Sequence, residues 1–136
     1  MLGEPRTMQN DPRYDDVVAE VIAYLRERVA AAEAKGAEDI WVDPGIGFGK
    51  TLGHNLALLG AVERIGRETG KPVVIGASRK RFIASIDARA KDAGADRLGG
   101  SVAAALIAAQ NGAAMVRVHD VAETVQALKL WRATQG

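Results

Sequence analysis

Apolar positions along this chain keep two rhythms, and the alternation between them predicts its elements. Val17, Val18, Val21, Ile22, Leu25 and Val29 recur at helical spacing, which predicts a helix from about Asp15. Asp15 or Asp16 can cap it, and Lys35-Gly36 supplies a cation and then a glycine at its end. Ile40-Trp41-Val42 is too short for a helix and reads as a strand. A second helix is expected with Asn55 as its cap, Leu58, Leu59, Val62 and Ile65 inward, and Gly70 closing it. Pro72-Val73-Val74-Ile75 is the next strand and ends at Gly76. Ser78 occupies an N-cap position before Arg79-Lys80-Arg81-Phe82-Ile83. Residues 87–96 mix charge with Ala and Gly and read as an exposed loop. A helix from Leu98 to Gln110 stops at Gly112. Ala114-Met115-Val116-Arg117-Val118 is the third strand, and Asp120 can cap a last helix carrying Val125, Leu128 and Trp131. The polar, proline-bearing residues 1–13 read as a loop.

Helices and strands therefore alternate, which means parallel strands joined by helical crossovers, an α/β architecture. Such folds bind ligands where strands end and loops begin. Each predicted strand runs into polar chemistry: Asp43, then Ser78-Arg79-Lys80, then Arg117-Val118-His119-Asp120. One such end would be ordinary; three together argue for a site.

Composition narrows the partners. The 136 residues are 48% hydrophobic, enough for a core, and the formal charge is +1, so no global field draws nucleic acid or membrane phosphates. The absence of cysteine excludes disulfides and thiolate metal sites. Gly3, Glu4, Pro5 and Arg6 stand where a signal peptide would have an apolar run, and no stretch approaches the roughly 20 apolar residues of a membrane span. A soluble cytoplasmic protein is expected.

The loop Asp43-Pro44-Gly45-Ile46-Gly47-Phe48-Gly49-Lys50 carries glycines at alternate positions, where backbone can approach a ligand closely. It is no P-loop, because that motif needs a glycine four residues ahead of the Gly-Lys pair and position 44 is Pro. Its Gly-x-Gly-x-Gly spacing also misses the dinucleotide fingerprint. A tight turn with a solvated Lys50 is the plain alternative, but a Phe held between glycines at a strand end favours a binding role. Ser78-Arg79-Lys80 opens a helix, where N–H groups suit an anion; a simple cap with two surface cations is the competing reading. Arg117 and His119 lie two apart on a strand and so share a face, with Val116 and Val118 on the other. That pair suits a phosphate or diphosphate oxygen. His54 has no such companion and reads as structural.

In this order and spacing, these loops resemble the dihydropteroate synthase family of folate biosynthesis. The matching stretches are Gly3-Glu4-Pro5-Arg6-Thr7-Met8-Gln9, Asp43 to Lys50, Gly76-Ala77-Ser78-Arg79-Lys80, Arg97-Leu98-Gly99-Gly100-Ser101 and Arg117-Val118-His119-Asp120-Val121. The family fold is a (β/α)8 TIM barrel of about twice this length, so residues 1–136 would be its C-terminal half, three parallel strands with flanking helices. The implied reaction is displacement of diphosphate from 6-hydroxymethyl-7,8-dihydropterin diphosphate by p-aminobenzoate, giving dihydropteroate. By resemblance, Asp43, Gly76 and Lys80 would form the pterin pocket, and Arg117 and His119 would hold the diphosphate. Phe48 and Ser78 would face p-aminobenzoate, and Lys80, Arg117 and His119 would be catalytic. The resemblance also implies magnesium, with its protein ligand outside this chain, sulfonamide as an inhibitor class, and a homodimer formed through C-terminal helices.

The family's substrate-closing loops and its remaining pterin-pocket residues have no counterpart here. Three strands cannot close a barrel, so the chain alone is expected to be a fragment, weakly stable, prone to association and inactive. A methyltetrahydrofolate-type pterin-binding methyltransferase shares the barrel and the pterin Asp, but is not expected to carry both Ser-Arg-Lys and Arg-Val-His-Asp. A non-catalytic association module is the reading outside enzymes.

Overall fold

A computed structural model describes residues 11–91 and 97–136. The Gly3–Gln9 stretch and part of the 87–96 loop lie outside these residues. Helix α1 spans Val17–Glu33, and of the two candidate caps Asp16 takes the role, accepting from the Val18 and Ala19 N–H groups. The next helical stretch is two helices, α2 (Leu52–Gly60) and α3 (Val62–Thr69), broken at Ala61. The break follows Gly60, a weak helix former, and the Ala61 N–H folds back to the Leu58 carbonyl. Thr51 and His54, not Asn55, cap α2 in a reciprocal pair. Gly70 ends α3 in the left-handed region at φ 66°.

Strand β1 is Val74–Ile75, followed by the short helix α4 (Arg81–Ile86) and a 3-10 turn at Ala88–Ala90. Ala90 is buried at 2% exposure, so this stretch is not the wholly exposed loop its composition suggests. Then come α5 (Leu98–Gln110), β2 (Met115–Val116) and α6 (Val121–Ala133). The N-cap position of α4 is Lys80 rather than Ser78. Asp120 does stand at the N-cap of α6, but its carboxylate is engaged elsewhere.

Val42 bridges Val73 in parallel, and β1 pairs with β2 in parallel, Val74 opposite Met115 and Ile75 opposite Val116. The strands are shorter than their apolar runs for a backbone reason. Pro44 and Pro72 have no N–H to give, and the Ala114 and Met115 N–H groups both go to the Val73 carbonyl. Val42, Val73 and Ile75 are buried in one core with Leu58, Val62 and Ile65 of the helices and Ala104 and Ala108 of α5. By strand alternation Trp41, Asp43, Val74, Met115 and Arg117 take the opposite face. That face is open: Trp41 and Met115 are 43% and 49% exposed.

The contact between α4 and α5 depends on Gly100. A Cβ there would overlap the buried Ile83 side chain. Gly100→Ala is expected to lower stability by about 1–3 kcal/mol, the usual result of overfilling a packed contact. Urea unfolding measures this; an unchanged midpoint would mean α4 slides aside freely.

Candidate active site

Three loops leave the C-terminal ends of the parallel strands, and each touches the other two. The first, Asp43 to Lys50, is shaped by its own polar groups. Asp43 Oδ1 accepts from the Gly45 N–H at 2.7 Å, and its other oxygen faces Arg117 Nη2 at 3.6 Å. Gly45 and Gly47 take φ of 75° and 81°, values an L side chain rarely adopts. The Gly47 N–H donates to Asn55 Oδ1 at 2.7 Å, and Asn55 Nδ2 donates to the Thr51 carbonyl at 2.8 Å. Asn55 is thus a buried strut between loop and helix, a role its cap-like position conceals.

Lys50 is not a solvated lysine. It is 7% exposed, and its Nζ donates to the Phe48 carbonyl at 3.0 Å from beneath the loop. Burial pushes its pKa down, and the nearby Asp43 charge partly opposes that. The lysine therefore supports the turn that exposes the Phe48 ring.

The second loop, Gly76 to Lys80, meets the first through Lys80. Its ammonium lies 3.7 Å from the centre of the Phe48 ring, and its stem lies so close to Gly47 that a Cβ there would sit 2.9 Å from Cδ. Burial and the Arg117 cation lower the Lys80 pKa, while Asp43 raises it. Gly76 does the same for the third loop: a Cβ on it would strike the Arg117 guanidinium. Ser78 is buried, and its Oγ lies 3.0 Å from His119 Nδ1 and accepts from the His119 N–H at 3.3 Å. Arg79 closes the junction with two bonds to Asp120, Nη2 to Oδ1 at 2.6 Å and Nε to Oδ2 at 3.2 Å. That hydrogen bonding holds the Asp120 carboxyl below its ordinary pKa.

The expected residues therefore converge. Asp43, Gly76, Lys80 and Arg117 form one group on the open face, Phe48 adjoins it through Lys80, and His119 adjoins through Ser78. His54 stays apart, capping α2 and packing edge-on against Tyr14. A carboxylate beside cations on a water-accessible face can receive N–H donors at one point and an anion at the next. Among the described residues no group of three or more His, Asp or Glu side chains could hold a metal ion. With Asp120 bonded to Arg79 and Asp43 a lone carboxylate beside the Arg117 cation, these residues do not fit a magnesium site. No helix among them is long and apolar enough to cross a membrane.

Parallel strands with a polar site at their C-terminal ends define an α/β ligand-binding protein. A family profile described as pterin binding enzyme matches residues 1–119, and the chain belongs to that family. It is 48% identical to dihydropteroate synthase of Neisseria meningitidis serogroup B, over 98% of this chain and 47% of that protein. It also resembles the crystal structure of dihydropteroate synthase from Stenotrophomonas maltophilia with imidazole in the active site. The TM-score there is 0.92 and the identity 50%, covering 100% of this chain and 51% of that one. The Xanthomonas albilineans dihydropteroate synthase in complex with 7,8-dihydropteroate gives 0.86 at 49% identity, covering 92% of this chain and 49% of that one. The chain spans about half the length of the curated relatives it matches.

Proposed function

We propose that this chain is the C-terminal half of a dihydropteroate synthase barrel and carries the departing-diphosphate side of its pocket. The observation that carries this is the Asp43–Arg117–Gly76–Lys80 group, where one carboxylate and two cations meet over a glycine floor. Asp43 accepts hydrogen bonds from the pterin ring N–H groups, and Gly76 keeps the pocket floor flat. Phe48 and Lys80 border the p-aminobenzoate. Ser78 borders it too, while its hydroxyl holds His119 toward the diphosphate.

The pterin methylene carbon–oxygen bond breaks first, and its electron pair leaves with the diphosphate. Arg117, His119 and Lys80 stabilise that growing charge. The amine of p-aminobenzoate then forms the new carbon–nitrogen bond to the pterin cation and loses a proton. No general base is required. The protein ligand of magnesium lies outside these 136 residues.

The two parallel strands, the parallel bridge at Val42 and their open face support a half-barrel, as does the coverage of the relatives. Exposed Ile107 on α5 and exposed Val121, Val125 and Leu130 on α6 support a dimer through C-terminal helices. Three measurements test the reading: turnover, diphosphate release and sulfonamide competition. They are made on the chain alone and on the chain copurified with the N-terminal half of the Neisseria protein. The pair is expected to form dihydropteroate and the chain alone to associate without turnover. A chain that unfolds cooperatively as a monomer and makes dihydropteroate by itself would overturn the half-barrel. A folded pair that binds neither substrate would overturn the synthase.

A further inference from the structure

The Arg97-Leu98-Gly99-Gly100-Ser101 stretch contributes no side chain to the group that faces the open pocket, yet two of its polar side chains are almost fully buried. Arg97 is 7% exposed and Ser101 2%. Both are directed at the backbone of one residue in the second loop, on the two peptide groups that flank it. The Arg79 N–H donates to Ser101 Oγ at 2.9 Å, and Ser101 Oγ donates to the Arg97 carbonyl at 2.6 Å. Arg97 Nη1 in turn donates to the Arg79 carbonyl at 3.0 Å. Nε and Nη2 of the same guanidinium hold the Ala90 and Lys91 carbonyls, each at 2.7 Å.

Arg79 needs holding. Its φ is +57°, in the region where an L side chain crowds its own backbone. The Lys80 N–H returns to the Ala77 carbonyl at 3.3 Å, so residues 77–80 form a turn with positive φ at its third residue. That position ordinarily selects glycine. Here an arginine fills it, because its side chain is needed on Asp120. The backward turn lets Ser78 point inward to His119 while Lys80 points outward over Phe48. Released, residue 79 would relax to negative φ, and Lys80 would leave the Phe48 ring. Strained backbone of this kind persists only where its surroundings over-determine it.

We infer that Arg97 and Ser101 are positioning residues that clamp the two peptide groups flanking Arg79 in its left-handed turn and so set Lys80 against Phe48 and Ser78 against His119. Both act through the turn, and neither side chain reaches the open face.

Lys80 reports its own position. In the turn it is partly buried, with Asp43 and Lys50 facing it from the first loop, Arg79 and Arg81 beside it, and Arg117 across from it. The test is the pH profile of amine acylation on this chain copurified with the N-terminal half of the Neisseria protein, resolved by mass spectrometry, with exposed Lys35 and Lys129 as internal references. Circular dichroism confirms that each variant is folded. Lys80 in the unchanged chain is expected to react with a lower midpoint than the references. Ser101→Ala and Arg97→Lys are each expected to raise that midpoint toward theirs, because Lys80 then leaves its partly buried place beside Arg117. Ser101→Thr keeps the hydroxyl and should keep the profile. Ser101→Ala combined with Arg79→Gly should recover it, because glycine takes the left-handed turn without a clamp.

A profile that stays put in folded Ser101→Ala and Arg97→Lys overturns the inference. So does Lys80 titrating with the references in the unchanged chain, or Ser101→Ala unfolding in both backgrounds. The consequence for turnover rests on the synthase reading, but the Lys80 profile does not. Failure here leaves that reading intact, and failure of the substrate tests leaves the clamp intact.

Discussion

Lys80→Ala and Arg117→Ala should each lower kcat/KM of the assembled synthase by about two orders of magnitude or more, the usual loss when a charge contact to the departing group is removed. In the proposed pocket both side chains face the departing diphosphate. Arg117 lies over Gly76 and faces Asp43, and Lys80 lies over Phe48 with its stem on Gly47. Near-normal turnover in both variants would show that the diphosphate leaves elsewhere. The pH profile adds a second check. Because burial and Arg117 disfavour its charge, Lys80 gives up its proton at a lower pH than an ordinary lysine. On the proposed reading the active form is the cation, so activity should fall as pH rises through that lowered pKa. Lys80→Arg stays protonated throughout, and its alkaline limb should move to higher pH.

Asp43→Ala should weaken pterin binding by at least about 30-fold, roughly 2 kcal/mol, as truncation of a hydrogen-bonded charged group does. Alanine also removes the acceptor for the Gly45 N–H, so loop collapse could mimic the result. Asp43→Asn separates the two. Its amide oxygen can still accept from Gly45, but its NH2 group meets the pterin donors with another donor. Calorimetry of a pterin analogue on the assembled protein should therefore find Asp43→Asn nearly as weak as alanine. Affinity close to the unchanged protein would remove Asp43 from the pterin pocket.

Helix faces were legible because burial follows periodicity: Val17, Val18, Val21, Ile22 and Val29 are all buried on α1. The end of β1 was legible from Gly76, whereas β2 stops at Val116, short of the Val118 that its apolar run suggests. The polar residues that stand near helix starts without making a side-chain cap share one cause. Asn55, Ser78 and Asp120 each stand where a local rule assigns a cap, and each gives its side chain to a partner in another segment, Gly47, His119 and Arg79 respectively. Local spacing reports what a side chain can do for its own helix, not which distant group competes for it. Lys50 illustrates the same limit: nothing in its neighbours announces a carbonyl acceptor beneath the loop. For Arg97 the available signal was an arginine four residues before a serine at the start of an apolar helix, a pattern too common to decide anything alone.

The mutual contacts of the three loops bear on how such a pocket can change. Lys80 needs Gly47, Arg117 needs Gly76, and Arg79 needs Ser101 and Asp120. Each loop borrows part of its shape from a neighbour's sequence. Grafted singly onto another barrel, any one of them would bring its letters and leave its conformation behind. The transferable unit is the trio with its buried clamp, and inheritance or engineering of this site has to move it whole.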